Sequence, residues 1–316
     1  MAKTEFTRRV FGETLAECGA KDQRIVVLTA DVSASVLTTY FAQRFPNRFF
    51  NVGIAEAGMV DAAVGLALDG FVPFANTFAG LLMRAAEQIR TCVAYAQTNV
   101  KLVGSYAGLS DYKDGPTHHS IMDLALMRAM PNMTVVSPAD SMELKMLLPQ
   151  IVDLAGPVYL RVSRADMPIV FDSSYHPELG KGSVVRQGRD VTIFANGHML
   201  SRSIEAATKL DARGIDARVV NIHTIKPLDT QLVKQCAADT GAVVTAEEHL
   251  IAGGMGSAIA EVLAAQTPTP VEMVGIRDTF AETALDHESL LDKYGMSVDD
   301  IAGAARKVMA RKAARH

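Results

Sequence analysis

The chain has 316 residues, of which 49% are hydrophobic, and its formal net charge of -4 comes from acids and bases that are interspersed. This length exceeds one ordinary core and suits two α/β domains of about 100–200 residues each. Because no long run of one charge occurs, the sequence does not favour a nucleic-acid groove or an anionic membrane surface, and we expect a small ligand.

The three cysteines, Cys18, Cys92 and Cys236, lie far apart in the sequence. They lack the spacing of a zinc site or a disulfide framework, which favours a reducing cytoplasm. The first residues contain no apolar signal core, and no run reaches the roughly 20 apolar residues of a membrane span. We expect a cytoplasmic protein with no metal ligand in this chain.

In the first half of the chain, short β-rich runs alternate with helix-sized segments. One such segment, residues 55–70, has roughly helical apolar spacing and ends in Gly70, which is typical of a helix stop. The alternation predicts a mostly parallel sheet with crossover helices. The predicted strands are RIVVLT (24–29), FVPFANTF (71–78), VKLVGS (100–105), MTVVSP (133–138) and PVYLRVS (157–163).

Residues 166–185 lose this periodicity and collect Pro, Gly and Ser, which predicts a linker between domains. A second, smaller α/β unit follows. The sequence therefore predicts an α/β chain with two doubly wound sheets, in domains at residues 1–165 and 186–316. The strands predicted for the second unit are VTIFAN (191–196), ARVVNI (217–222), GAVVTAEE (241–248) and PVEMVGI (270–276).

Unusual polar and aromatic residues follow the predicted strands of the first unit. Ligands bind open parallel sheets outside the carboxyl ends of the strands, so we expect the chemistry in these loops. In chain order the loop residues are Asp31, Ser35, Phe78, the KDGPTHH loop (113–119), Arg161 and Arg164.

Glu56 enters the helix predicted at residues 55–70 among apolar neighbours. It is either a solvent-facing carboxylate, favoured in a first helical turn by the helix dipole, or a carboxyl group kept protonated in an apolar pocket. The two settings shift its pKa in opposite directions, and both interpretations stay open at this level.

The KDGPTHH loop also has two interpretations. It is either a capped turn with solvated histidines, or a stiff turn on which Asp114 and His118 hold substrate hydroxyls and move a proton near neutral pH. Arg161 and Arg164 either pair with carboxylates or grip a phosphate or sulfonate. The glycine-rich segment at residues 247–263 is a weak signal for a phosphate cradle, and we interpret it as structural.

Five segments, taken in this order, resemble the C-terminal half of transketolase. The resemblance covers about residue 5 to 310 and implies a pyrimidine-binding domain followed by a transketolase C-terminal-like domain. The segments are RFFNVGIAEAGMV (48–60), KDGPTHHSIMDLALMR (113–128), SPAD (137–140), GPVYLRVSR (156–164) and EEHLIAGGMGSAIAEVL (247–263).

The resemblance implies thiamine diphosphate as cofactor, bound here by its pyrimidine end. This chain has no GDG followed by NN, the pattern with which the family holds Mg²⁺ and the diphosphate. It therefore looks like the second, C-terminal subunit of a split bacterial-type transketolase. We expect Mg²⁺ on a partner chain that carries GDG and NN, an α2β2 assembly, and no activity of this chain alone.

By this carry-over Glu56 hydrogen-bonds the pyrimidine ring, and Phe78, Leu81 and Asp31 lie on the cofactor side. The family's subunit contact also predicts that the apolar pocket of Glu56 is half open in the isolated chain. Asp114 and His118 resemble binders of sugar hydroxyls, with His118 also catalytic. Arg164 and Ser35 match residues at the end of the channel where a sugar phosphate binds.

Two positions depart from the family. Tyr106 stands where many members have a histidine near the reacting carbons, and tyrosine, with a pKa of about 10, is a poor proton shuttle at pH 7. Leu81 and Leu82 stand where an aromatic pair is common, which costs about 0.5–1.5 kcal/mol of stacking on the pyrimidine. These departures leave the sugar and the cofactor affinity open.

Three alternatives follow from the same residues. The β subunit of a 2-oxo acid dehydrogenase E1 component shares the domain order and the pyrimidine glutamate, although the DGPTHH segment favours transketolase. A 1-deoxyxylulose-5-phosphate synthase is normally one longer chain. A non-catalytic regulatory paralogue is the remaining alternative, for which Tyr106 and Leu81 are the arguments. The leading hypothesis is ketol transfer from a ketose phosphate or sulfonate to an aldose.

Overall fold

The computed structural model describes residues 4–314. The strands are β1 Thr4–Phe6, β2 Ile25–Thr29, β3 Phe49–Asn51, β4 Val72–Phe78, β5 Lys101–Ser105, β6 Thr134–Val136, β7 Val158–Val162, β8 Asp166–Pro168, β9 Ser183–Arg186, β10 Val191–Ala195, β11 Ala217–Asn221, β12 Thr224–Lys226, β13 Val243–Leu250 and β14 Val271–Ile276.

The helices connect these strands and cover the faces of the sheets. They are α1 Thr7–Lys21, α2 Ser33–Val36, α3 Thr39–Arg44, α4 Glu56–Leu68, α5 Ala79–Leu82, α6 Ala86–Gln88, α7 Asp123–Ala129, α8 Ser141–Asp153, α9 Met199–Asp211, α10 Thr230–Thr240, α11 Met255–Gln266, α12 His287–Lys293 and α13 Val298–Ala313, with 3-10 turns at Pro46–Arg48 and Met83–Ala85 and a π-helix at Ile89–Tyr95. In the described part of the chain, no helix combines the length and the apolar character needed to cross a bilayer.

The first sheet has seven strands in the order β12-β6-β7-β5-β4-β2-β3. Strands β2 to β7 pair in parallel, and the edge strand β12 pairs antiparallel with β6. The central strands β2, β4, β5 and β7 are buried along their whole length, as expected of a parallel sheet covered by helices on both faces. Their carboxyl ends meet at one edge.

The second sheet has five strands in the order β14-β13-β10-β11-β9. Its four long strands are parallel, and β9 pairs antiparallel with β11 at one edge. The two sheets confirm the predicted α/β class with two doubly wound units.

Every predicted strand is present, but five short ones, β1, β3, β8, β9 and β12, were not predicted from the sequence. Strands of three or four residues carry too little alternation to stand out from loops. The most consequential is β12, because it belongs to the second half of the chain and yet closes the first sheet.

The segment predicted as a linker, residues 166–185, is more structured than its composition suggests. It begins with β8, which pairs with β1, and its last residues form most of β9. Between them, the Asp140 carboxylate accepts hydrogen bonds from the backbone N–H groups of Val170 and Phe171 at 2.7 and 2.8 Å. Contacts with distant residues therefore order parts of this segment, which contains these short strands.

Candidate active site

The candidate site is built around two stacked aromatic rings. Phe78 is the last residue of β4 and Tyr106 follows β5, the adjacent parallel strand, so register alone brings them together. Their centroids lie 4.2 Å apart with the planes at 21°. Tyr106 has a φ of 61°, a left-handed conformation that is strained for a bulky side chain. That conformation turns its ring onto Phe78.

The Tyr106 hydroxyl joins two other elements. Arg8, near the start of α1, donates from Nη1 to the Tyr106 oxygen and to the Ser35 carbonyl, both at 2.7 Å. The hydroxyl in turn donates to the Ser35 carbonyl at 3.2 Å. Burial raises the pKa of Tyr106 above its ordinary value, which keeps this donor protonated at neutral pH.

Two guanidinium groups flank the Tyr106 ring. The Cζ atoms of Arg8 and Arg164 lie 5.5 and 5.1 Å from its centroid, within cation–π range. Together with Lys113, both arginines line a cavity of about 430 Å³. Arg164 was predicted here from the sequence and Arg8 was not, because a lone arginine at a helix start has no local signature.

A buried carboxylate holds Arg164. Its guanidinium hydrogen-bonds the fully buried Asp111 and lies 3.9 Å from the Asp114 carboxylate, which is half exposed. Burial, reinforced by the neighbouring Asp114, raises the pKa of Asp111 to about 6. Asp111 is a further residue that the sequence did not reveal. It lies three positions before Asp114 of the KDGPTHH loop, and only the fold turns it inward.

The two histidines of the KDGPTHH loop have different surroundings. The His118 ring is half buried, 6.0 Å from the Phe78 centroid in an edge-on arrangement, with Nδ1 3.0 Å from Thr117 Oγ1. His119 is buried, and neither of its ring nitrogens has a hydrogen-bond partner within residues 4–314. Burial lowers the pKa of His119. The loop is thus more than a capped turn with two solvated histidines, and that interpretation is wrong.

Glu56 is the first residue of α4, and its side chain is 4% exposed. Its Oε1 and Oε2 accept hydrogen bonds from Arg84 Nη1 at 3.1 and 3.4 Å. Neither sequence interpretation describes this arrangement, because the carboxylate is buried and also ion-paired. The half-open pocket expected for the isolated chain is likewise wrong, since Arg84, whose side chain is 59% exposed, covers the carboxylate.

The surface next to Glu56 suits an aminopyrimidine. Helix α4 packs against α5 and the turn that follows it. Within α5, the half-buried Leu81 packs on the Phe78–Tyr106 pair, whereas Leu82 is fully buried in the core. Only Leu81 is placed to touch a ligand. The expectation that both leucines form the surface under the pyrimidine is therefore wrong for Leu82. A carboxylate beside an apolar platform fits the polar edge and the flat face of that ring.

Asp31 is not part of the Tyr106 cluster. It is exposed at the end of β2 with a φ of 60°. Its carboxylate accepts from Asn51 Nδ2 at 2.9 Å, and its N–H donates to Asn51 Oδ1 at 3.0 Å. Asn51 ends the adjacent strand β3, and its Oδ1 also accepts from Gly53 N at 3.1 Å, three residues before Glu56. Asp31 therefore supports the segment that leads to Glu56.

Two motifs are structural. Arg161 is buried and bonds the Asp123 carboxylate at 2.9 Å and the Glu248 carbonyl at 2.9 Å, so it is not free for an anion. In the glycine-rich segment, the N–H groups of Met255 and Gly256 at the start of α11 already donate to the Glu247 carboxylate, so they are not available to a phosphate. The segment is not a phosphate cradle.

Two family models match the chain. "Transketolase, pyrimidine binding domain" covers residues 5–169, and "Transketolase, C-terminal domain" covers residues 180–301. The chain belongs to the transketolase family.

Transketolase subunits are among its relatives along nearly the full length. It is 42% identical to the 6-deoxy-6-sulfo-D-fructose transketolase subunit SqwH of Clostridium sp. (strain MSTE9), over 96% of this chain and 95% of that protein. It is 35% identical to an apulose-4-phosphate transketolase subunit of Phocaeicola vulgatus, over 94% and 96%. The 1-deoxy-D-xylulose-5-phosphate synthase of Caldanaerobacter subterraneus is 39% identical, but the chain covers only 47% of it.

Solved transketolase structures share the fold. A structure titled "Split gene transketolase, inactive beta4 tetramer" is 45% identical, with a TM-score of 0.91 over 97% of this chain and 99% of that one. Transketolase from Leishmania mexicana is 22% identical, with a TM-score of 0.80. The superposition covers 98% of this chain and 46% of that one. The chain is a transketolase-type transferase subunit of the split kind, and the family implies thiamine diphosphate.

Proposed function

We propose that this chain is the pyrimidine-binding subunit of a split transketolase that moves a two-carbon ketol unit from a ketose carrying a phosphate or sulfonate to an aldose. The observation that carries the proposal is the Phe78–Tyr106 stack at the carboxyl ends of parallel strands, with Arg8 and Arg164 on either side of it. The two arginines provide a cationic end for an anionic sugar.

Glu56, Phe78 and Leu81 would hold the aminopyrimidine, with Asp31 supporting the segment before Glu56. When bound, thiamine diphosphate supplies the carbanion that cleaves and carries the ketol unit. The Glu56 carboxyl would orient the pyrimidine by a hydrogen bond at its ring nitrogen. Because Arg84 covers that carboxylate in the isolated chain, it must give way when the ring binds.

On the substrate side, Asp114 and His118 would bind sugar hydroxyls, and His118 would move a proton near neutral pH. Tyr106, whose hydroxyl donates to the Ser35 carbonyl and accepts from Arg8, would position Arg8 beside the sugar. Arg164 would hold the anionic end group with Arg8, and the Ser35 carbonyl fixes Arg8 there. Phosphate and sulfonate both suit this end, and relatives are named for a sulfo-sugar and for a sugar phosphate.

The partner in this proposal is a separate N-terminal subunit carrying GDG and NN, which binds Mg²⁺ and the diphosphate in an α2β2 assembly. One split transketolase is titled as an inactive β4 tetramer, which supports inactivity of this chain alone. We also propose the domain division 1–165, 166–185 and 186–316. Three unpaired cysteines support a cytoplasmic location.

Co-expression with such a partner provides the test. The pair, but neither chain alone, is expected to bind thiamine diphosphate and transfer a ketol unit in a screen of phosphorylated, sulfonated and uncharged ketoses with aldose acceptors. Charged donors should show the lower KM.

The same screen separates the alternatives. CO₂ release from pyruvate or a branched 2-oxo acid without ketol transfer would support a dehydrogenase E1 β subunit. Joining of pyruvate to an aldehyde would support the synthase. A correctly assembled pair that binds no thiamine diphosphate would support a regulatory paralogue.

A further inference from the structure

A second cavity, of about 620 Å³, lies where the β1–β8 pair meets the second domain. It adjoins the cavity beside Tyr106, with which it shares the carboxylates of Asp166 and Glu288. The carboxylates Asp166, Glu205, Glu288, Asp292 and Asp299 line this second cavity, together with a single guanidinium, that of Arg202. Such a lining favours a cation over an anionic sugar.

Two buried histidines lie side by side here, of which His198 lines this cavity and His287 lines the cavity beside Tyr106. His198 and His287 are 3% and 4% exposed, and their ring centroids are 4.9 Å apart in an edge-on arrangement. A carboxylate holds Nε2 of each ring: Glu288 lies 2.7 Å from His198, and Glu248 lies 2.9 Å from His287.

The other nitrogen of each ring has no partner among the described residues. Nδ1 of His198 and Nδ1 of His287 are both buried without a hydrogen bond. An unsatisfied buried polar atom costs about 1–3 kcal/mol, which favours a ligand at these rings. Histidines that bind metals are typically fixed by a carboxylate on the opposite ring nitrogen, and Glu248 holds Nε2 of His287 in this way and leaves its Nδ1 for an ion. At His198, an ion would replace the proton between Nε2 and the Glu288 carboxylate.

We propose that His198, His287 and Glu288 bind a divalent transition-metal ion of the Zn²⁺ class. One ligand atom from each residue lies within 4.8 Å of the others. Imidazole with carboxylate suits Zn²⁺, whereas Ca²⁺ and Mg²⁺ prefer oxygen ligands alone. No metal ligand was predicted from the sequence, because the two histidines are far apart in the chain and show no ligand spacing.

The residues around the three proposed ligands allow these ligands to move together and bind an ion. The Glu288 side chain is 57% exposed and can adjust, while Arg202 holds its Oε2 and leaves Oε1 towards His198. Glu248, which fixes His287, also accepts a hydrogen bond from the Leu109 N–H, in the segment that leads to Asp111 and Asp114. The ion would thus brace the second domain against the sugar-binding loop, whichever reaction the enzyme catalyses.

The full chain, stripped with a chelator and dialysed, is titrated with Zn²⁺ and with Co²⁺ by calorimetry and visible absorption. We expect one equivalent per chain and a Co²⁺ spectrum of nitrogen and oxygen ligands. His198→Gln and His287→Gln each remove one imidazole ligand, so Zn²⁺ should bind at least about tenfold more weakly. His176→Gln, which removes an exposed histidine, is the matched control and should bind as the wild type does.

Circular dichroism of each variant checks its fold. If the histidine variants do not fold, Glu288→Gln at the exposed ligand still decides the matter, because Zn²⁺ should raise the Tm of the wild-type chain and not that of the variant. Glu248→Gln should weaken Zn²⁺ binding by about 10–100-fold through the orientation of His287. Wild-type binding no tighter than that of these variants, or a Tm unaffected by Zn²⁺, would overturn the proposal.

Discussion

At the residue scale, the candidate site depends on side chains whose partners lie far away in the sequence. Tyr106 hydrogen-bonds Arg8 and Ser35 and stacks on Phe78. A tyrosine at this position cannot move a proton as a histidine would at neutral pH, because burial raises its pKa further. We infer that its task is to position Arg8 and the sugar.

Replacing Arg8 tests the anionic end of the site. Arg8→Gln removes one of the two guanidinium groups at the Tyr106 ring, and a hydrogen bond to a charged group contributes about 1.5–3 kcal/mol. We expect the KM for a phosphorylated or sulfonated donor to rise by about 10–100-fold in the complex with the partner, with little change for an uncharged ketose. Arg189→Gln, at a side chain 86% exposed in the second domain, is the control. An equal rise for charged and uncharged donors would contradict this assignment.

Replacing Glu56 tests the cofactor side. Glu56→Ala in the assembled complex should lower ketol transfer by at least about 10²–10⁴-fold, the usual contribution of a positioned acid or base, because the pyrimidine loses its carboxyl partner. Subunit assembly, measured by mass in solution, should persist, as should the activity of the control Glu178→Ala at an exposed position. Substantial turnover in the Glu56 variant would refute its role.

At the element scale, β12 joins the second half of the chain to the first sheet. His223 comes directly before β12, is fully buried, and has Nδ1 2.9 Å from Thr224 Oγ1, while Nε2 has no hydrogen-bond partner in the described part of the chain. Burial lowers the pKa of His223 to about 4. The unfolded chain takes up this proton near pH 6.5, whereas the folded chain resists it until about pH 4.

The contribution of His223 to stability is therefore present above pH 6.5 and lost as the pH falls towards 4. The depression of the pKa corresponds to about 3 kcal/mol of unfolding free energy. We expect the wild-type chain to lose that much more stability than His223→Asn between pH 7 and pH 4, measured by urea unfolding. His176→Asn, at an exposed histidine, should behave like the wild type. Parallel losses in the wild type and His223→Asn would contradict the buried, neutral histidine.

At the scale of the whole molecule, the buried Arg161, which is ion-paired with Asp123 in the first domain, donates a hydrogen bond to the second domain. Arg161 Nε bonds Asp123 Oδ2 at 2.9 Å, and its Nη2 donates to the Glu248 carbonyl in the second domain at 2.9 Å. Because of this contact and β12, we expect the two halves of the chain to unfold together. The family models meet between residues 169 and 180, but one hydrophobic core contains side chains from both halves of the chain, such as Leu124 and Ile259.

Asp123→Ala should destabilise the chain by about 3–5 kcal/mol, because it leaves the Arg161 charge buried and unpaired. Asp211→Ala breaks an exposed pair with Arg186 and should cost only about 0–1 kcal/mol. Chemical denaturation followed by fluorescence and circular dichroism should show one transition for both. Two separate transitions, or equal costs for the two variants, would refute the coupling.

The sequence by itself determined the α/β class, the long strands and the family. Periodicity and motif order are local properties, and they identified Phe78, Glu56 and the KDGPTHH loop without knowledge of contacts. It also indicated that chemistry would follow the strands, because the carboxyl ends of parallel strands share one edge.

Only the tertiary structure decided which of these residues act together. Arg8 and Asp111 joined the site, Asp31 and Leu82 were placed outside the Phe78–Tyr106 pair, and Arg161 was assigned to a buried ion pair with Asp123. It also paired Glu56 with Arg84 and brought His198 beside His287. The physical reason is that burial, ion pairing and pKa depend on distances between residues remote in the chain, which no local pattern encodes.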